Sequence, residues 1–277
     1  MKKSILILFF IFSPIISLAH QPKIVNDEST KIIDPEISKA YYSELSGEPH
    51  VYTINEPEEF DLYVGILVPD IDNVKKDVKA ELFKEGESIK ILGGLDSNWT
   101  MFFEPFGQST YWDGGEYKGL GEVGEYKIVV SSINNDSKYS LAVGEIEDFS
   151  GSTGLEALSL IPKLKEDFFN ESPISFIKST FGWGLIVVMY TLSIIFGFSY
   201  RAILKKTSKG TVRGASKNMG KKDRILRILI GIVLLLWAIT NTWSPILIFF
   251  SGFAFFEAIF SWCGFYAAIG KNSCPID

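Results

Sequence analysis

The stretch FAFFEAIFSWCGFYAAIGKNSC, Phe253 to Cys274, holds both cysteines of the chain, Cys263 and Cys274, and places Glu257 among apolar residues. A carboxyl group in hydrocarbon costs roughly 2.5 to 3.5 kcal/mol on insertion scales. Two uses offset such a cost. Glu257 is either structural glue between helices, with Ser261 at i+4 as a hydrogen-bond partner, or a protonatable group in a transport or sensing path. Ser251, Ala254, Ala258 and Ser261 form a small-residue face that lets a neighbouring helix or a second copy approach closely. The thiols are either one membrane-buried and one tail cysteine, or a redox or sulfur-handling pair. Eleven residues (274 − 263) separate them, about 16 Å along a continuous helix, too far for a disulfide.

A second set of candidates lies upstream. The chain has two histidines, His20 and His50. A mature N-terminal histidine offers an amine and an imidazole to copper, and a second histidine completes such a site; the other expectation is an ordinary N-terminus and a solvated loop histidine. Asp70-Ile71-Asp72-Asn73 opens like a calcium loop but lacks the glycine and closing glutamate of one, so it reads as a turn. Trp99, Phe102, Phe103, Phe106, Tyr111 and Trp112 form either core and loop cover or a stacking surface for a ligand. No serine elbow, zinc-protease helix or phosphate loop occurs. The expectation is therefore a non-enzymatic protein that needs no cofactor, with copper as the one candidate metal.

The charge distribution tells where these groups sit. Residues 20–178 carry 30 acidic and 14 basic side chains, a net of −16, whereas residues 201–227 carry ten basic residues and one acid, a net of +9. Lys2, Lys3, an apolar run from Ile5 to Leu18 and the small residues Ser17 and Ala19 make residues 1–19 a signal peptide. Residues 181–200 are a charge-free run long enough to cross a bilayer. Further apolar runs at 225–243 and 245–269 are joined by a short connection and form a hairpin. The basic loop 201–224 between the first two spans belongs in the cytosol by the positive-inside rule, not on nucleic acid. The acidic region is then outside, and the tail 271–277, with Cys274, is inside. Trp262 and Tyr266 fall at the inner interface.

The outer region, residues 20–150, reads as short half-buried strands. Runs at 60–67, 78–83 and 99–103 precede the best pair, 125–130 and 138–143, which alternate at period two around the turn residues Asn134-Asn135-Asp136-Ser137. Strands at this spacing without helices between them suggest an antiparallel sandwich. It has no cysteine, so no disulfide staples it. Its ligand, metal or protein partner would be periplasmic. Residues 151–180 read as a helical linker, with a helical pattern from Leu155 to Phe169.

Two resemblances add to this. "HQPKIV", "FDLYVGILVPDI", "FEPFG" and "YSLAVGEIEDF" resemble exported domains of uncharacterised bacterial and archaeal membrane proteins, which implies a sandwich over His20 to Phe169. Asn218, Gly220, Asp223-Arg224 and Arg227, followed by Cys263, Tyr266, Gly270 and Ser273-Cys274, resemble the YgaP-like transmembrane domain family over Ser216 to Pro275. That resemblance implies a two-span inner-membrane hairpin at residues 225–270 with both ends cytosolic. The family normally has proline where this chain has Gly264, and Glu257 stands outside the family motif. Arg224 and Arg227 are expected to meet lipid phosphates, with Asp223 pairing to Arg227 at i,i+4. The fold class is thus a membrane protein: an exported all-β sandwich followed by three transmembrane α-helices, the last two a tight hairpin. The expected function is ligand or partner binding outside. The alternative is solute or sulfur transport, or redox chemistry, through Glu257, Cys263 and Cys274.

Overall fold

The computed structural model describes residues 20–148, 151–207 and 217–273. The signal segment, part of the basic loop and Cys274 lie outside the described residues. The chain divides into two compact units, residues 1–175 and 176–277.

The first unit is all-β with two sheets. Its strands are β1 (Gln21–Ile24), β2 (Ser29–Lys31), β3 (Lys39–Glu44), β4 (His50–Glu56), β5 (Phe60–Pro69), β6 (Lys79–Lys84), β7 (Glu87–Gly93), β8 (Thr100–Glu104), β9 (Ser109–Gly121), β10 (Gly124–Ser131) and β11 (Lys138–Val143). The six-stranded sheet has the order β1-β3-β11-β5-β9-β8 and the five-stranded sheet β2-β4-β10-β6-β7. Period-two alternation sorts the side chains. In β5, Leu62, Val64, Ile66 and Val68 join a buried core that also takes Tyr52, Ile54, Leu82, Ile128 and Val130 from the other sheet. Tyr63, Gly65 and Leu67 point to the opposite face.

The expected hairpin of residues 125–130 and 138–143 does not form. Each run is a strand, but β10 pairs with β4 and β6, and β11 with β3 and β5. The turn residues carry the chain from one sheet to the other. The reason lies in burial: five of the six residues of β11 are buried, so it needs a neighbour on each edge and cover on each face, which a terminal hairpin would not provide. Two pairs, β1 with β3 and β2 with β4, are parallel.

Helix α1 (Gly151–Lys163) runs on through a π turn, Leu164–Phe168. Pro162 lies inside the helix and has no N–H for the i−4 carbonyl; the wider turn follows it. Leu160, Leu164, Phe168 and Phe169 pack on Tyr42, Leu67 and Tyr111, covering part of the outer face of the six-stranded sheet.

The second unit is helical. Helix α2 (Thr180–Thr207) has 28 residues, and α3 (Lys221–Trp237) continues through a π turn to Thr242, 22 residues in all. At 1.5 Å per residue both exceed the roughly 30 Å of a bilayer core. Only 22% and 17% of their most apolar windows are buried, so the apolar side chains face outward, as lipid requires and water would not favour. Helix α4 (Pro245–Phe260) has 16 residues, about 24 Å. The run expected to be one helix to Ile269 breaks at Ser261, whose φ is +53°, and resumes as the short α5 (Gly264–Ile269).

Trp243 and Ser244 join the π turn to α4, and α4 packs against both α2 and α3. Only part of the small-residue face forms, because Ser261 lies beyond the end of α4; Ser251 Oγ donates to the Gly231 carbonyl at 2.8 Å and bonds the Tyr190 hydroxyl at 2.9 Å, linking all three helices. Trp262, expected at an interface, is fully buried against Tyr200 and Phe256. Close approach of α2 and α4 rests on glycine. A Cβ on Gly252 would lie 2.6 Å from Ser193 Oγ and 3.2 Å from Tyr190 Cα. Gly252→Leu is therefore expected to destabilise the helical unit by about 1 to 3 kcal/mol, the usual cost of overpacking; reversible unfolding in mixed micelles measures it, and Ser251→Ala serves as the milder comparison.

Candidate functional site

The break in α4 gathers the motif residues from both ends of the C-terminal segment. Asn218 is fully buried. Its Nδ2 donates to the Cys263 carbonyl at 3.0 Å, and its Oδ1 accepts from the Cys263 N–H at 2.7 Å. The backbone N–H groups of Asn218 and Met219 bond the Ser261 carbonyl. One asparagine thus satisfies backbone groups that an interrupted helix leaves open. Ser273 Oγ closes the ring, donating to Asp223 Oδ2 and accepting from the Gly220 N–H.

Glu257 lies inside this clasp. Its Oε2 is 3.1 Å from Arg227 Nε, and its Oε1 accepts from the Gly264 N–H at 2.8 Å. Ser261 is not the carboxyl's partner; its backbone N–H makes the last i→i−4 bond of α4, to the Glu257 carbonyl. Arg227 also reaches Cys263 Sγ at 3.2 Å. Asp223 does not pair with Arg227, whose side chain turns inward to the buried carboxylate and away from headgroups. Arg224 keeps an exposed side chain while its Nε donates to the Ala258 carbonyl at 2.8 Å. Cys263 is fully buried and caps α5, its sulfur accepting from the Tyr266 N–H at 3.4 Å. Cys274 lies outside the described residues, so the thiol pair is not assembled among them.

The histidines do not converge. His20 Nδ1 bonds Ser38 Oγ at 2.6 Å, and its ring stacks on Tyr63. His50, buried, bonds Tyr139 and Ser43. Ser38 and Ser43 are five residues apart along β3 and its lead-in, about 16 Å, too far for one copper ion to bridge the two rings. Among the described residues no group of three His, Cys, Asp or Glu side chains could hold a metal. Burial lowers the affinity of both rings for a proton, opposed at His20 by Glu145 and at His50 by Glu28.

The aromatic stretch divides. Trp99 packs on the core and Tyr111 is buried, whereas Phe102 and Phe103 are exposed on the edge strand β8. Asp70 accepts from Trp112 Nε1 at 2.8 Å, so that loop is a turn anchor.

A cavity of about 310 Å³ lies on the outer face of the six-stranded sheet, beneath α1 and its π turn. Ala40, Tyr42, Ser140 and Ala142 form its floor, with Tyr63 and Leu67 beside them and Ile161 and Lys165 on the helical side. Among the described residues, the buried side-chain oxygens with no hydrogen bond are Ser140 Oγ and Glu147 Oε1, and both residues line this cavity; Ser140 Oγ lies close to the Tyr42 hydroxyl but without the geometry of a hydrogen bond. The other polar groups are spent. Lys165 donates to the Gln108 carbonyl, Ser109 Oγ and Glu171 Oε2 at 2.9 to 3.0 Å. The Tyr42 and Tyr111 hydroxyls bond each other at 2.8 Å, and burial raises both phenols above their ordinary range. Glu104 takes the N–H groups of Phe106 and Gly107; burial pushes its carboxyl up against those two bonds. Residue-type patterns did not single out Ser140, Glu147 or Lys165. The available signal was Ser140 and Ala142, two small residues on one face of a strand whose other face is large and apolar.

Two tests follow. Truncating one partner of the buried pair, Arg227→Leu or Glu257→Leu, is expected to cost about 3 kcal/mol, while the double variant costs less than the sum because no charge is stranded; unfolding in mixed micelles gives the cycle. For the histidines, a folded-state pKa below the unfolded 6.5 contributes stability that is complete above pH about 6.5 and is lost as pH falls through the folded value. The thermal midpoint of the β unit should fall on acidification from that point, and His20→Gln with His50→Gln should flatten the slope.

Comparison with known proteins gives the following. No curated protein matches the chain. The pre-peptidase C-terminal domain of a collagenase from Bacillus anthracis is 10% identical over 46% of this chain and 95% of that chain, with a TM-score of 0.25. The structure of CBM51-2 in complex with GlcNAc and INT domains from Clostridium perfringens ZmpB is 12% identical over 78% of this chain and 34% of that chain, with a TM-score of 0.22. Neither likeness reaches the level at which whole folds correspond. Residues 215–277, the segment that forms the clasp, match the family described as inner membrane protein YgaP-like, transmembrane domain.

Proposed function

We propose that the chain is a membrane-anchored, non-enzymatic binding protein whose β unit takes up a small ligand in the cavity on its six-stranded sheet. The observation that carries this is the coincidence of Ser140 Oγ and Glu147 Oε1, both unpartnered and buried, in one cavity. A buried polar group without a partner costs about 1 to 3 kcal/mol, and such a cost is kept where a ligand supplies the missing bond. The cavity is at the small end of the range for ligand sites.

In this reading the two sheets are a sandwich held outside the cytosol by three spans. Helix α4 reaches the interface with the help of α5. The loop between the first two spans is cytosolic and the β unit is on the far side, a reading supported by Lys205, Lys206, Lys217, Lys221 and Lys222 in that loop. Lys221 and Lys222 are exposed and suit anionic headgroups. Glu257 acts as glue, since both its oxygens are engaged by this chain.

Ser140→Ala discriminates a ligand site from a packing defect. Removing an unsatisfied hydroxyl is expected to stabilise the free protein by about 1 kcal/mol, a rise of roughly 2 to 4 °C in Tm for a unit this size. The same change should reduce the thermal shift produced by a bound ligand. A lower Tm for the variant would count against the binding reading.

A further inference from the structure

We infer that this cavity selects a small organic amine, its ammonium group held by Glu147 and its carbon skeleton laid on the apolar floor. The inference rests on the cavity being a ligand site and names the ligand's chemistry.

The unsatisfied demand in the cavity is for hydrogen-bond donors. Glu147 Oε1 is a buried acceptor without a donor, so it needs an N–H or O–H. The protein's own cations do not meet this demand. Lys165 has three protons and three acceptors, as described above. Lys118 lies 2.6 Å from Glu145 and 3.9 Å from Glu116. Against these two lysines the lining carries five acidic residues: Glu104, Asp113, Glu116, Glu145 and Glu147. Asp113 Oδ1 accepts from the Gly115 N–H and Glu104 is closed by its own turn; among the described lining carboxylates, Glu147 is the one with a buried oxygen that has no partner. An anionic ligand would meet no uncommitted lysine among the described lining residues and would face the acidic excess.

Ala40, Leu67, Ala142 and Ile161 supply apolar wall for a hydrocarbon body. A bare inorganic cation fits poorly, because no third carboxylate, cysteine or histidine joins a metal-holding group among the described residues.

The test uses three probes with one skeleton: 2-phenylethylamine, 2-phenylethanol and phenylacetate, titrated calorimetrically into the full chain in nanodiscs. The expected result is binding of the amine, at least tenfold weaker binding of the alcohol and no binding of the carboxylate. Glu147→Gln should weaken the amine tenfold or more. Equal binding of alcohol or carboxylate, or amine binding indifferent to Glu147→Gln and Glu147→Ala, overturns the amine assignment and leaves the ligand site standing. Binding of none of the probes also overturns the assignment; the site itself falls only if Ser140→Ala in addition fails to raise Tm.

Discussion

Backbone groups buried away from water must find partners within the protein, so a helix that stops inside it has to be closed by other residues. The turn at Ser261, Trp262 and Cys263, the last two fully buried, is such an interruption, and the helical unit is organised around closing it. Asn218 supplies both an acceptor and a donor to Cys263, at 2.7 and 3.0 Å. Glu257 takes the Gly264 N–H, and Arg227 balances the charge that this brings in. The spacing of the family motif then has a physical meaning: its asparagine and arginine lie before and within the first helix of the hairpin, its cysteine after the second, and the fold brings them within bonding distance.

The N–H of Gly264 lies inside the protein, and Glu257 is the group that accepts it. A Cβ at Gly264 would also come 2.9 Å from the Tyr200 ring, so the glycine admits a ring that a larger residue would push away. A carboxyl group that looks costly in the linear sequence is thus the counterpart of a glycine seven residues on.

Local pattern was enough for much of the architecture. Residue type and alternation located β5, β6, β8, β10 and β11 but not β7 or the long β9, and apolar length located α2 and α3. The failures share one cause, a partner far away in sequence. Nothing near Ser261 breaks a helix; the break is held by Asn218, more than forty residues earlier. Likewise Asn134 to Ser137 are good turn residues, but whether a turn makes a hairpin or a crossing depends on what flanks each strand. Arg227 was expected to face headgroups because its inward partner lies on another helix. The cavity was the least legible feature, since Ser140 and Glu147 differ from other serines and glutamates only in what surrounds them.

The position of β11 carries a consequence for how the β unit comes into being. It is the last strand in sequence and sits between β3 and β5, in the middle of the six-stranded sheet. Until residues 138–143 leave the ribosome, that sheet exists only as two fragments, β1-β3 and β5-β9-β8, each with a bare hydrogen-bonding edge. The earlier hundred or so residues must wait in that state, and assembly joins contacts far apart in the chain, the slow regime of folding. A chain of this topology gains from delayed folding and from a companion that shields those two edges until its final strand arrives.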